Sequence, residues 1–390
     1  MVELSLAATL PADEFAGTLV GRVWRPDVGG PSIVVLRADG VHDVSGSFST
    51  MRDLCETEDP AAAARSTQSE RIADVAEVIA NTPRGWRDSS KPWLLAPIDL
   101  HAIKAAGVTF AVSLLERLIE EQARGHPERA EAVRREVEAA LGGAIAGLVP
   151  GSPEAAELKK LLQAKGLWSQ YLEVGIGPDA EIFTKAQPMS AVGTGAAIGV
   201  LAASRWSNPE PEIVIVVNSR GTIVGATLGN DVNLRDVEGR SALLLPQAKD
   251  NNASTALGPF IRLFDHTFSL KDVGLAEVHL SVEGRDGFRL DGSSAMVRIS
   301  RRPDDLVRQM IGPHHQYPDG AVLFLGTMFA PVKDRDAAGQ GFTHREDDVV
   351  TIRSDVLGAL VNRVTTAEKA PPWEFGTAAL MRNLARRGLI

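Results

Sequence analysis

Asn208-Pro209-Glu210-Pro211-Glu212-Ile213-Val214-Ile215-Val216-Val217 sets two acids beside prolines and leads directly into an apolar, β-branched run. Such a run predicts a strand. Asn218-Ser219-Arg220-Gly221 then reads as a hairpin turn, with the return strand starting at Thr222 to Gly225. Residues two apart on a strand point to the same face, so Glu210 and Glu212 are expected to project into one pocket. Like charges held close are costly unless a proton or cation compensates, and a hard divalent ion with oxygen ligands is the usual solution.

The return strand leads to Leu228-Gly229-Asn230-Asp231, nineteen residues after Glu212. An antiparallel return over this length brings Asp231 back beside the two glutamates. The result is a three-carboxylate face whose remaining metal positions are open to water or substrate, as in a catalytic Mg²⁺ site. Eighteen residues further lies Lys249, in Gln247-Ala248-Lys249-Asp250-Asn251-Asn252. A lysine near such a site is either a proton carrier or a fixed positive partner for a substrate carboxylate, and the residues leave both open. Spacing alone also leaves open an ordinary acidic surface, since acid and proline are common neighbours there.

Outward from this region the chain divides into three parts. Residues 1–100 mix β-prone runs (Thr18 to Trp24, Ser32 to Leu36) with a helical stretch near Asp59 to Ala80, a small α/β domain. Residues 101–167 form a helical connector, with helix read from Leu100 to about Gly147 and again over Pro153 to Lys165. There Ala111, Leu114, Leu115 and Leu118 make one face and Glu116, Arg117, Glu120 and Glu121 another. The alternating Glu and Arg of Glu128 to Glu138 read as a solvated face. Residues 168–390 turn to strands joined by Gly-rich turns, with later strands at Glu277 to Val282, Ala295 to Ile299, Ala321 to Leu325 and Val349 to Ile352. The fold class is therefore α+β, with a mainly-β C-terminal domain, a smaller α/β N-terminal domain and a helical connector.

The 390 residues carry a net charge of −9 with pI about 5.5, which argues against a nucleic-acid partner. Cys55 is the single cysteine, so no intrachain disulfide or thiolate metal cluster can form and oxygen ligands must hold any metal. Met1 to Phe15 lacks the layout of a signal peptide, and no apolar run approaches the ~20 residues that span a bilayer. A cytoplasmic protein without membrane contact is expected. Gly193-Thr194-Gly195-Ala196-Ala197-Ile198-Gly199 lacks the spacing of a dinucleotide loop, so packing is the expected reason for its glycines. His314-His315 is expected to be a loop surface pair, and His101 and His344 local polar residues.

Glu210-x-Glu212, Leu228-Gly229-Asn230-Asp231-Val232-Asn233-Leu234-Arg235-Asp236, Lys249 and Leu257-Gly258-Pro259 together resemble the fumarylacetoacetate hydrolase family, over about residues 168–364. The family's usual Thr-Gly-Thr-Pro signature is altered here to Leu325-Gly326-Thr327-Met328. Within the family the chain is most similar to 2-keto-3-deoxy-D-xylonate and 2-keto-3-deoxy-D-arabinonate dehydratases. The segments that say so include Ala96-Pro97-Ile98-Asp99-Leu100, Gly107-Val108-Thr109-Phe110 and Glu181-Ile182-Phe183-Thr184-Lys185. The resemblance implies a C-terminal domain of mixed β-sandwich or roll type. It also implies Glu210, Glu212 and Asp231 as ligands of Mg²⁺, with Mn²⁺ as a substitute, Lys249 as the active-site lysine and Thr327 as a contact for the substrate carboxylate. Glu181 is a candidate acid or base and Ser190 a candidate substrate-hydroxyl contact.

The implied activity is that of a hydro-lyase of oxidative pentose degradation, such as xylose breakdown. It would convert a 2-keto-3-deoxypentonate to 2-oxoglutarate semialdehyde in a homodimer or homotetramer. Hydrolytic members carry a His and Glu pair on a short lid, and the sequence shows no such His near a matching Glu. Two alternatives stand beside dehydration: hydrolysis of a carbon-carbon bond in a dioxo acid, and non-catalytic binding of a 2-oxo acid.

Overall fold

The structure is a computed structural model that describes residues 2–145, 147–164, 166, 168–329, 331, 333–336 and 341–390. Its strands in chain order are β1 (Leu19–Arg25), β2 (Gly30–Arg37), β3 (Gly40–Asp43), β4 (Glu70–Ala73), β5 (Trp93–Leu94), β6 (Ala102–Ala106) and β7 (Ile182–Ala186). Then come β8 (Ala197–Val200), β9 (Ser207–Asn208), β10 (Pro211–Val217), β11 (Ile223–Asp231), β12 (Asn233–Leu234) and β13 (Thr255–Leu263). The last are β14 (Glu277–Glu283), β15 (Arg289–Ala295), β16 (Ala321–Phe324), β17 (Val349–Ser354) and β18 (Gly358–Thr366).

One large mixed sheet runs β4-β3-β2-β1-β13-β11-β10-β16-β6-β7, with β5 on β1; a second runs β15-β14-β17-β18-β8, and β9 pairs β12. The α+β class with a β-rich C-terminal half is as expected. The boundary expected near residue 100 falls inside one continuous sheet, because β1 pairs antiparallel with β13.

Strand β10 sits near the middle of the large sheet and is buried along its whole length. Ile213, Ile215 and Val217 enter one hydrophobic core, whereas Val214 and Val216 enter another on the opposite face. A strand covered on both sides needs apolar residues at every position, which is why its sequence is a continuous run. The β10–β11 register sets Pro211 opposite Asn230 and Glu212 opposite Gly229. A side chain on Gly229 would meet Phe324 of β16, its Cβ falling 2.3 Å from a ring carbon. The glycine thus lets an aromatic ring fill the space beside the site.

Several local expectations differ from the structure. The stretch Asp59 to Ala80 is two short helices, Pro60–Ser66 and Val75–Ala80, separated by β4, whose pairing with β3 outweighs the helical spacing. Residues Ala102–Ala106 form a strand because β16 and β7 pair with them on either side. Ala295 to Ile299 contains a 3-10 turn, Met296–Arg298, following the edge strand β15. Helix Pro153–Ala164 matches the third expected helix, whose final Lys165 lies outside the described residues. Gly193 and Gly199 are packing glycines, since a Cβ would lie 2.6 Å from the Leu95 carbonyl carbon and 2.1 Å from the Asn252 oxygen respectively.

Candidate metal centre

Glu210 precedes β10, Glu212 lies on it, and Asp231 ends β11. The Asp231 N–H donates to the Glu210 carbonyl at 3.0 Å, and the Glu210 N–H donates to Asn230 Oδ1 at 3.1 Å, so the hairpin's own hydrogen bonds lock these acids side by side. One carboxylate oxygen from each of Glu210, Glu212 and Asp231 lies within 4.8 Å of the others. All three are buried, with no more than 2% of their surface exposed.

Lys249 ends the short helix Leu245–Lys249 and reaches Glu210 Oε2 at 2.7 Å and Asp231 Oδ2 at 3.2 Å. Burial presses its ammonium to lose a proton, but the carboxylates of Asp231 and Glu210 outweigh that and hold it protonated. Lys185 of β7, fully buried, donates to the Lys249 and Ser254 carbonyls and lies 3.2 Å from Asp231 Oδ1. Lys185 therefore ties the helix end at Lys249 and the turn up to Ser254 to the strand that carries Asp231.

Burial, and then the charges of Asp231 and Glu210, push the Glu212 carboxyl well above the usual carboxylate range. The Gly326 N–H, at 2.6 Å from Oε2, and the Thr327 hydroxyl, 3.4 Å from Oε1, hold it in place. Glu210 goes the other way: burial is outweighed by Lys249 and Arg117, which hold it down to about 2. Asp231 Oδ1 accepts no hydrogen bond among the described residues, the Lys185 ammonium being directed at carbonyls. Three converging oxygen donors, one whose charged form is opposed by its acidic neighbours and another short of a hydrogen-bond donor, suit a hard divalent cation.

Thr327 is thus brought to the cluster. Glu181 precedes β7 and packs over Gly107, where a Cβ would fall 2.0 Å from its Oε2. Burial and the charge of Glu238 raise its carboxyl to about 7, against the pull of Arg117 and Lys249, so it lies within electrostatic reach of the cluster. Ser190 is not brought to the cluster: its hydroxyl donates to the Gln187 carbonyl at 2.7 Å, and it lines a 1040 Å³ cleft with Trp24 and Trp93 whose walls include none of the three acids. His314 and His315 are exposed neighbours, while His101 and His344 are buried beside Asp99 and Asp348.

Sequence reasoning missed one part of the site. Helix Ala111–Ala123 turns its charged face inward, and Glu116, Arg117 and Glu120 are all buried. Arg117 donates to Glu210 Oε1 and to Glu120, and lies 3.2 Å from Glu238 Oε2. Arg235 meets Glu120 at 3.0 Å, and Arg134 pairs with Glu116. The available signal was Arg235-Asp236 following Asp231 so closely, since a buried arginine there calls for acidic partners from another element.

No family model matches the chain. It is 36% identical over 197 residues to a Haloferax volcanii protein named "Probable 2-keto-3-deoxyxylonate dehydratase", which is 50% of this chain and 64% of that protein. It is 34% identical over 191 residues to the 2-dehydro-3-deoxy-D-arabinonate dehydratase of Saccharolobus solfataricus, 48% of this chain and 60% of that protein. The matches thus span less than two thirds of either relative. The apo structure of a 2-keto-3-deoxy-D-arabinonate dehydratase superimposes with a TM-score of 0.62 at 21% identity, covering 89% of this chain and 99% of that one. The same coverage, at a TM-score of 0.61, holds for a 2-keto-3-deoxy-D-arabinonate dehydratase complexed with magnesium and 2,5-dioxopentanoate. The chain shares the fold of these solved dehydratases, and its sequence similarity is to 2-keto-3-deoxy sugar acid dehydratases, the proteins its motifs resemble.

Proposed function

We propose that the protein is a divalent-metal-dependent hydro-lyase that removes water from a 2-keto-3-deoxypentonate, the D-xylonate or D-arabinonate derivative, to give 2-oxoglutarate semialdehyde. The observation that carries this reading is the buried, converging carboxylate set of Glu210, Glu212 and Asp231. Mg²⁺, with Mn²⁺ as a substitute, would be held by these three side chains and would supply the positive charge that acidifies the C3 protons of a 2-oxo acid. The similarity to dehydratases on both sequence and fold supports the substrate class.

Lys249, 2.7 Å from Glu210 and 3.2 Å from Asp231, serves as a fixed cation that orients the two carboxylates. Glu181, whose carboxyl titrates near neutral pH, takes the C3 proton. The same carboxyl then returns that proton to the departing C4 hydroxyl: the C3–H and C4–O bonds break, a C3–C4 double bond forms and water leaves. Tautomerisation moves the unsaturation to C5, where the enol becomes the aldehyde. The Thr327 hydroxyl, beside Glu212, is the contact for the substrate carboxylate.

Dehydration is favoured over hydrolysis by the sequence similarity to proteins named as dehydratases. No helix among the described residues is long and apolar enough to cross a membrane. A cytoplasmic homodimer or homotetramer acting on a sugar acid completes the reading. Glu210→Gln and Asp231→Asn test it, each expected to keep the fold by circular dichroism while weakening divalent-metal binding about 100-fold or more and abolishing turnover. Full activity in either variant after chelation contradicts the reading.

A further inference from the structure

Glu210 has a cation on each of its carboxylate oxygens: Lys249 on Oε2 and Arg117 on Oε1. The two cations differ in what else they hold. Lys249 contacts Asp231, a second acid of the same cluster, whereas Arg117 holds Glu120 and Glu238, which lie outside it. Arg117 comes from the helix Ala111–Ala123 and Glu238 from the short helix Arg235–Glu238, so the guanidinium joins Glu210 to two elements that carry none of the three clustered acids. Glu120 is further fixed by Arg235 Nε at 3.0 Å. Glu238 Oε2 already lies 3.2 Å from Arg117 Nη1 but accepts no hydrogen bond among the described residues, so it has capacity for a firmer hold on the guanidinium. An arginine fork can serve two acids at once and lean toward either without leaving both.

We propose that Arg117 is a positioning residue that competes with the divalent cation for Glu210 and is drawn off it by Glu238. This rests on the metal reading above. A cation on Glu210 Oε1 opposes a second cation there, so the share of Arg117 taken by Glu238 sets how readily Glu210 acts as a ligand. Glu238 therefore acts on the metal through Arg117.

The test is a double-mutant cycle on the full chain, read as Mn²⁺ affinity by electron paramagnetic resonance without substrate. Arg117→Gln is expected to tighten Mn²⁺ binding tenfold or more. Glu238→Gln leaves Arg117 on Glu210 and is expected to weaken binding fivefold or more, yet to change it less than twofold in the Arg117→Gln background. If Arg117→Gln does not fold, Arg117→Met takes its place in the cycle. It removes the cation while keeping an unbranched side chain, so the Glu238→Gln effect again falls below twofold. An equal Glu238→Gln loss in both backgrounds, or unchanged or weaker binding in Arg117→Gln, overturns the proposal while leaving the metal reading intact. A wild-type chain that binds no Mn²⁺ overturns the metal reading itself, and this proposal with it.

Discussion

Glu181 and Lys249 show how neighbouring charge sets the proton affinity of two groups whose proposed roles residue identity alone leaves interchangeable. Lys249 sits between two carboxylates and keeps its proton, while Glu181, pressed by burial and by Glu238, rises to about 7. A general base must be deprotonated to act, so turnover should rise with pH through about 7 and level off above it. Glu181→Gln should remove that rising limb and lower kcat by roughly 100-fold or more, whereas a limb unchanged in the variant would assign the base elsewhere. The acids at 210, 212 and 231 were legible as neighbours because their spacing matches a hairpin, and it was the resemblance of the surrounding motifs that set them apart from an ordinary acidic surface. The inward-facing Glu116, Arg117 and Glu120 were not. A helix with an apolar face and a charged face reads as half solvated, and only the tertiary placement of Arg235 and Glu238 shows the charged face to be covered too.

The β10–β11 hairpin is the element on which the site depends, and its sequence declared it through an apolar run, a turn and a return. Gly229 is its tightest point, since a Cβ would lie 2.3 Å from Phe324 and 2.6 Å from Val214. Gly229→Val should cost about 1–3 kcal/mol by overpacking, read as a lower urea midpoint. It should also weaken metal binding, because Gly229 is opposite Glu212 and two residues from Asp231. An unchanged midpoint would mean that Phe324 moves aside freely. Other elements were misread for a stated reason. Ala102-Ile103-Lys104-Ala105-Ala106 is rich in helix formers and becomes a strand only because β16 and β7 offer it partners distant in sequence. Strand β4 is likewise made by its pairing with β3.

Across the whole molecule, sequence-distant segments share one body. The N-terminal strands join the central sheet through β1 and β13, and near the C-terminus Asn383 donates to the Val28 and Gly29 carbonyls. Long-range pairing of this kind leaves no periodic trace, which is why the α+β class could be read from sequence but the continuity of the sheet could not. A cation bound at a site built from the central strands should stabilise the folded chain as a unit. Mg²⁺ at 100 times its Kd adds about 2.7 kcal/mol, seen as a rise in thermal midpoint that chelator reverses and Asp231→Asn abolishes. No rise at any Mg²⁺ concentration would argue against a site in the fold. The most direct measurement is turnover of 2-keto-3-deoxy-D-xylonate and 2-keto-3-deoxy-D-arabinonate by the purified full chain, with formation of 2-oxoglutarate semialdehyde followed before chelation, after it, and after Mg²⁺ is restored. Metal-dependent formation of the semialdehyde as the single carbon product is the predicted result; no turnover of either acid, or turnover that survives chelation, would contradict the account.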